Sequence, residues 1–335
     1  MNSPEPSATL DVAASAVANS LITRTVSAWR VEFAVLAAVM IFYAFGQDYL
    51  ALASTALVTA IFVLSLDLIV GYAGIETLGQ AAFFGIGAYA AGLYALHVGT
   101  DPIIGLAVGA IAGALVGYLS GEVILRTGGL SLLMLTLAVA SVIQEIANTA
   151  TSITGGADGL SGYSIAPIFG LFQFDLAGKT AYFYSATVLI VGLAICRFIV
   201  ESPFGLSLRG IKGNVTRAAL LGIGTHRCLV AVYVISAALA GLAGALSAQI
   251  SGVVGTDSLS FVVSGNAMVM LILGGVGRLY GAVIGAIVFV VISDQAASVD
   301  PKNWLLFVGV LLILAVRFAP TGLAGVLTAL GRRMG

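Results

Sequence analysis

The sequence predicts an all-α, polytopic membrane protein of about ten transmembrane helices, and three observations predict it. Of 335 residues, 60% are hydrophobic and only 9% charged, whereas soluble domains carry about 25% charged residues. Runs of about 20 apolar residues, enough to cross a bilayer, recur along most of the chain, and mean hydropathy is +1.10. The strict polar/apolar alternation of a membrane β-barrel is missing.

Hydropathy places the spans at about 30–46, 51–70, 81–98, 103–124, 129–150, 181–199, 228–250, 261–275, 281–293 and 303–319. The eighth and ninth are short and divided by GGVGRLYG (274–281), so they also read as one broken pair. Residues 1–29, polar and without a hydrophobic signal core, form an N-terminal tail, 30–320 the membrane domain and 321–335 a C-terminal tail. With the N-terminus inside, Arg24, Arg30, Arg126, Arg197, Arg209, Lys212, Arg217, Arg227, Arg278, Arg317, Arg332 and Arg333 fall on the inner side. Only Lys179 and Lys302 fall outside. This positive-inside bias favours ten spans with both termini cytoplasmic. Cys196 and Cys228 then sit near inner helix ends, where thiols stay reduced.

The fourth span carries Gly105, Gly109, Gly113, Gly117 and Gly121 at a spacing of four. In water each would weaken a helix by about 1 kcal/mol; in lipid the backbone must satisfy its own hydrogen bonds and stays helical. Small residues let membrane helices approach closely. Each step of four advances the stripe by about 40°, so the ladder is expected to serve one neighbour low down and another higher up, in a central helix. A dimerisation stripe is the alternative. ALAGLAGAL (238–246) and the pair Gly281, Gly285 repeat the spacing.

Two segments attract functional attention. Residues 201–227 are a polar island which, with Arg197, carries five basic residues beside Glu201. A short helix fits Arg209–Leu221, and Pro203 suits the start of an earlier turn. Composition leaves two readings, a solvated loop or a docking helix for a cytoplasmic partner. The stretch 71–89, GYAGIETLGQAAFFGIGAY, is broken by glycines and holds Glu76 and Gln80 among apolar residues; irregular backbone at membrane depth lines cavities. Asp67 lies within the preceding span, as a functional acid or a buried structural hydrogen bond. Gln144, Glu145 and Asn148 cluster near the outer end of the fifth span, touching substrate or facing water. Glu122 and Arg126 read as an ion pair at i,i+4. AGKT at 177–180 is not a phosphate loop, because position 173 is Gln where glycine is required. No catalytic triad, metal set or dinucleotide fingerprint appears, so any ATP must be bound by another subunit.

These stretches resemble the M-type integral-membrane permease of branched-chain amino acid ABC importers. The family's GxAGQLSLGHAAFFGIGAY is similar to 71–89, LTGGSDGLSG to ITGGADGLSG (153–162), and SRFGRALRAIRENEIAAEALGI to SPFGLSLRGIKGNVTRAALLGI (202–223). SAALAGLAGAL recurs at 236–246, and LVMVILGGLGSLYGPVIGA resembles MVMLILGGVGRLYGAVIGA (268–286). The likeness runs in order over roughly 50–320. It implies a fold of about ten helices in a bacterial inner membrane and a heterodimer with a sister permease. It also implies two cytoplasmic ATPase subunits that bind ATP and Mg, a periplasmic binding protein, and no cofactor in this chain. Within the segment that faces the ATPase, Ser202, Pro203, Gly205, Arg209, Lys212 and Gly222 carry over. The pattern's acids in that segment are absent here. Ile75, Glu76, Thr77 and Gln80 depart from Gln, Leu, Ser and His, and Asp67 stands where Asn is frequent. Substrates of the family include urea, short amides and aromatic acids beside branched-chain amino acids, so the substrate stays open. From another class, an ion-coupled transporter would use Asp67, Glu76 or Glu145 as its coupling acid.

Overall fold

The computed structural model describes residues 49–167 and 178–299, together with 43, 309–310, 313 and 322–325. The expected first span (30–46), tenth span (303–319) and both tails lie almost wholly outside the described residues. From Leu50 onward the chain forms one compact unit. Helix α1 (Leu50–Asp67) continues into a six-residue π-turn, Leu68–Ala73; α2 is Gln80–His97, α3 Pro102–Ile124 and α4 Leu130–Thr149. After a single turn α5 (Thr151–Thr154) and a two-residue strand β1 (Leu160–Ser161), α6 runs Lys179–Glu201. Two short helices, α7 (Pro203–Gly213) and α8 (Val215–Leu220), lead into α9 (Thr225–Ser251), β2 (Val253–Val254), α10 (Phe261–Gly274) and α11 (Leu279–Val299). Six of these helices are long and apolar enough to cross a membrane. At 14 residues, α10 rises only about 21 Å, short of a full crossing. Helix α11 outruns its expected end by six residues, because Asp294 and Gln295, polar enough to read as loop, continue the helix with their side chains exposed.

Contacts between chain-distant segments gather at two ends of the bundle. At one end β1 pairs antiparallel with β2, and the Ala166 N–H donates to the Thr100 carbonyl at 2.9 Å. At the other, segments 71–80, 201–227 and 274–279 meet one another.

The centre of the bundle belongs to α1 and α9. In α1's most apolar window 83% of residues are buried, against 22% in α3. The glycine ladder therefore does not mark a central helix. Apart from Pro102 and Ile124, its five glycines are the only buried residues of α3, and every rung meets α9. Gly105 faces Gln249, Gly109 faces Ala245, Gly113 and Gly117 face Ala237, and Gly121 faces the Tyr233 ring. Helix α2 also approaches the ladder, with Tyr94 beside Gly105 and the Gly87 carbonyl beside Gly109. One partner suffices because α9 bears its own stripe of four-residue spacing, Tyr233, Ala237, Gly241, Ala245 and Gln249. Two such ridges drift round their helices in the same sense and stay together as the pair winds. On α9, Gly244 packs against the Phe84 carbonyl of α2, so one helix holds two neighbours at backbone distance.

Gln80 opens α2 inside the bundle. Its amide nitrogen donates to Ser65 Oγ at 3.0 Å and Ser236 Oγ at 2.8 Å, tying α1, α2 and α9 together. Its Oε1 has no partner among the described residues. Both serine hydroxyls donate elsewhere, to the Phe62 and Ser65 carbonyls. Gln80→Met removes the two donors together with the orphaned oxygen and leaves both serines' protons satisfied. The expected change in thermal stability is therefore under about 1 kcal/mol, read from the aggregation midpoint of the solubilised protein.

Candidate functional site

The polar island 201–227 folds as a helical elbow, and its sequence explains each turn. Ser202 caps α7 by accepting from the Gly205 N–H at 3.3 Å, with Pro203 in the first helical turn. Gly205 lets the elbow close on α6, since a Cβ there would strike the Val200 carbonyl. Asn214 caps α8 through the Arg217 N–H at 2.8 Å. Helix α8 ends in a Schellman motif: the Gly222 and Ile223 N–H groups donate to Ala219 and Ala218 carbonyls, and Gly222 takes φ +82°.

Cations on α7 anchor it to the end of α1. Lys212 Nζ donates to the Gly71 carbonyl at 2.6 Å, and the Arg209 guanidinium lies 5.3 Å from the centre of the Tyr72 ring, within cation–π reach. Gly74, with φ +73°, closes the π-turn where a Cβ would sit 2.8 Å from Lys212 Cγ. The outward side of the elbow carries Leu206, Arg217, Leu220 and Leu221; the last two are 84% and 76% exposed. Charge alone did not single out these leucines, although the run AALL in a polar island was the available signal.

Asp67, fully buried, accepts from the Gly277 N–H at 2.7 Å through Oδ1. Asp67, Arg209 and Lys212 are thus brought to one end of α1. Gly71, Tyr72 and Gly277 complete this cluster; sequence reading quoted their stretches without assigning them a role.

The remaining candidates lie apart. Loop 74–79 runs inside the bundle: the Leu78 N–H donates to Thr136 Oγ1 at 3.4 Å, two turns into α4, and the Ala81 N–H donates to Ser264 Oγ at 2.9 Å. Irregular backbone at depth thus finds side-chain partners. Glu76 on this loop is exposed. Gln144 is half-buried, and Glu145 and Asn148 are exposed on α4, continuing a face that includes Ser131, Met134, Ala138 and Ser141. Glu122 meets His226 Nε2 at 3.1 Å, not Arg126. Helix α3 stops at Ile124, so Arg126 lies beyond the helical register that i,i+4 pairing needs.

The other end is a polar cap. Gln249 Nε2 donates to the Pro102 carbonyl at 2.7 Å, and the Tyr184 hydroxyl donates to Gln249 Oε1 at 2.9 Å. In the connecting loop, burial pushes the Tyr163 hydroxyl up to about 12, so it stays protonated and donates to the Ala248 carbonyl at 2.8 Å. A narrow cavity here is lined by Tyr94, Asp101, Tyr163 and Gln249 among others. Among the described residues no group of three His, Cys, Asp or Glu side chains could hold a metal.

Comparison with known proteins gives the family. The profile of the branched-chain amino acid transport system permease component matches residues 49–316. The high-affinity branched-chain amino acid transport permease LivM of Escherichia coli K12 is 26% identical over 293 residues, covering 81% of this chain and 69% of that protein. LivH of Salmonella typhimurium LT2 is 33% identical over 157 residues, 46% of this chain and 50% of its own length. The fructose import permease FrcC of Rhizobium meliloti is 26% identical over 262 residues, 74% of this chain and 71% of its own. No solved structure matches.

Proposed function

This chain belongs to the family of branched-chain amino acid transport permeases, and we propose that it is the passive membrane subunit of an ATP-driven importer for branched-chain or related hydrophobic amino acids. It works beside a sister permease, above two cytoplasmic ATPase subunits that hold ATP and Mg, and below a periplasmic binding protein. Both termini face the cytoplasm, and the membrane is the bacterial inner membrane. The observation that carries this reading is the α7–α8 elbow. Its cations grip α1 while its leucines point away from the bundle, the arrangement a lever needs if a partner is to push on it. The chain's sequence has no nucleotide-binding loop of its own, so the push comes from outside.

ATP binding closes the partner subunits, and the elbow's differential contact with their open and closed forms biases the helix bundle between its states. The pathway runs along α4. Its face of Ser131, Met134, Ala138, Ser141, Glu145 and Asn148, with Gln144 at its edge, ends in an acid and amides that lipid would penalise and is covered by the sister permease around a water-filled channel. Glu76, exposed on the loop that runs inside the bundle, stands on the same route.

Reconstitution tests the reading. Liposomes holding the full assembly are expected to take up radiolabelled leucine, isoleucine or valine only with internal ATP and the binding protein. Uptake by this chain alone under a proton or sodium gradient would replace the importer with an ion-coupled transporter. A binding assay on the secreted partner decides among branched-chain amino acids, urea, short amides and aromatic acids.

A further inference from the structure

We propose that Asp67 is a positioning residue that passes displacement of α7 to the turn between α10 and α11, acting as a hydrogen-bond acceptor and not as a charge. This rests on the reading that the elbow is driven by external ATPases.

Two parallel links run through the π-turn. In one, Lys212 holds the Gly71 carbonyl, and Asp67, one turn earlier on α1, holds the Gly277 N–H at 2.7 Å. In the other, Arg209 stacks over the Tyr72 ring in the same π-turn. The fit is close: a Cβ on Gly71 would strike Asp67 Oδ1 and come 2.7 Å from the Gly277 nitrogen. Beyond the turn, α10 and α11 touch backbone to backbone. A Cβ on Gly285 would strike the Met270 carbonyl and lie 2.7 Å from the Gly274 nitrogen. The turn and both helices therefore move as one body, with little slack between α7 and α11. π-Turns inside α-helices recur at functional sites, and this one supplies the bearing on which both links sit.

The surroundings of Asp67 fit a mechanical role. It is fully buried, and it is not among the residues lining the cavity at the far end of the bundle. The Lys212 ammonium bonds the Gly71 carbonyl, and Asp67 Oδ2 has no hydrogen-bond partner among the described residues. What the position uses is Oδ1, and an amide oxygen supplies the same acceptor.

The test compares Asp67→Asn with Asp67→Ala in the full assembly, measuring uptake per ATP hydrolysed, and follows amide exchange of the peptide holding Gly277. Leaving the buried Gly277 N–H without its acceptor corresponds to about a tenfold loss. Asp67→Ala is expected to lower uptake per ATP by about that factor and to speed Gly277 exchange. Asp67→Asn is expected to stay within about twofold of the parent in both. Should Asp67→Ala fail to accumulate, Lys212→Met, which removes the ammonium from the Gly71 carbonyl one turn beyond Asp67, is expected to lower uptake per ATP by several-fold. An Asn variant as impaired as the Ala variant would mean that charge is required, and the proposal falls to an ion-coupling role. Unchanged exchange and coupling in Asp67→Ala, or an unaffected Lys212→Met where that variant stands in, would overturn it as well. A parent assembly without ATP-driven uptake would defeat the importer reading, while Gly277 exchange would still report on the bond.

Discussion

Replacing Gly241 with leucine is expected to abolish accumulation of the folded protein. A Cβ at this position would strike the Gly109 carbonyl and lie 3.1 Å from Gly113 Cα. Both obstacles are backbone, so no rotamer change relieves them; the helices must separate. Overpacking a well-filled site costs about 1–3 kcal/mol when side chains can adjust, and here they cannot. The damage also spreads, because α9 holds α2 through Gly244 and α3 through Gly241. A wedge at Gly241 loosens the contacts of both neighbours along their length. Gly265→Leu is the control: it lies in an apolar helix of the same chain, and nothing stands within 4 Å of its added Cβ. Fluorescence-detected size exclusion of tagged variants would read the difference. The expectation is an aggregated profile for Gly241→Leu and a parental one for Gly265→Leu. A monodisperse Gly241→Leu peak at parental yield would show that α3 and α9 are not pressed together as described.

The helices were legible because hydropathy and length report on lipid directly. Expected spans 103–124 and 129–150 match α3 and α4 to within one residue at each end, and the glycine ladder was read as a packing stripe without any neighbour in view. The identity of that neighbour was also encoded, in the matching stripe from Tyr233 to Gln249, but only a search for a complementary four-residue spacing would have paired the two. The π-turn was not legible, since LIVGYA has no composition that separates it from an α-helical end. Nor was the Asp67–Gly277 bond, which joins positions 210 residues apart in sequence. Hydropathy flagged Asp67 as an acid in a span, a signal that marks importance and leaves the partner unknown. The coupling-loop residues divide in the same way. Pro203 was readable as the start of a turn and Ser202 and Gly222 came only through the family resemblance, whereas the inward grip of Arg209 and Lys212 depends on where the elbow lands.

Reversing both cations, Arg209→Glu with Lys212→Glu, is expected to leave nucleotide hydrolysis running while uptake collapses. Lys212 makes a charge-assisted hydrogen bond to Gly71 worth about 1.5–3 kcal/mol, and the Arg209–Tyr72 contact adds about 0.5–1 kcal/mol. Together they hold α7 against α1 by about 2–4 kcal/mol, so losing both lowers the docked population by at least about thirtyfold. Glutamates would go further, setting carboxylates beside the Gly71 carbonyl and within reach of the Asp67 charge. The exposed Leu206, Leu220 and Leu221 are untouched, so on the proposed reading the elbow would still meet its partner while its displacement no longer reaches the bundle. Leu220→Ser with Leu221→Ser inverts the prediction: α7 stays docked on α1, while the ATPase subunits co-purify poorly and hydrolysis and uptake fall together. The two double variants therefore separate the inward grip from the outward contact, by uptake per ATP in one case and by complex recovery in the other. Unchanged uptake per ATP in the charge-reversed protein would mean that α7 transmits nothing through Gly71 and Tyr72. The lever would then have to be sought elsewhere on the inner face.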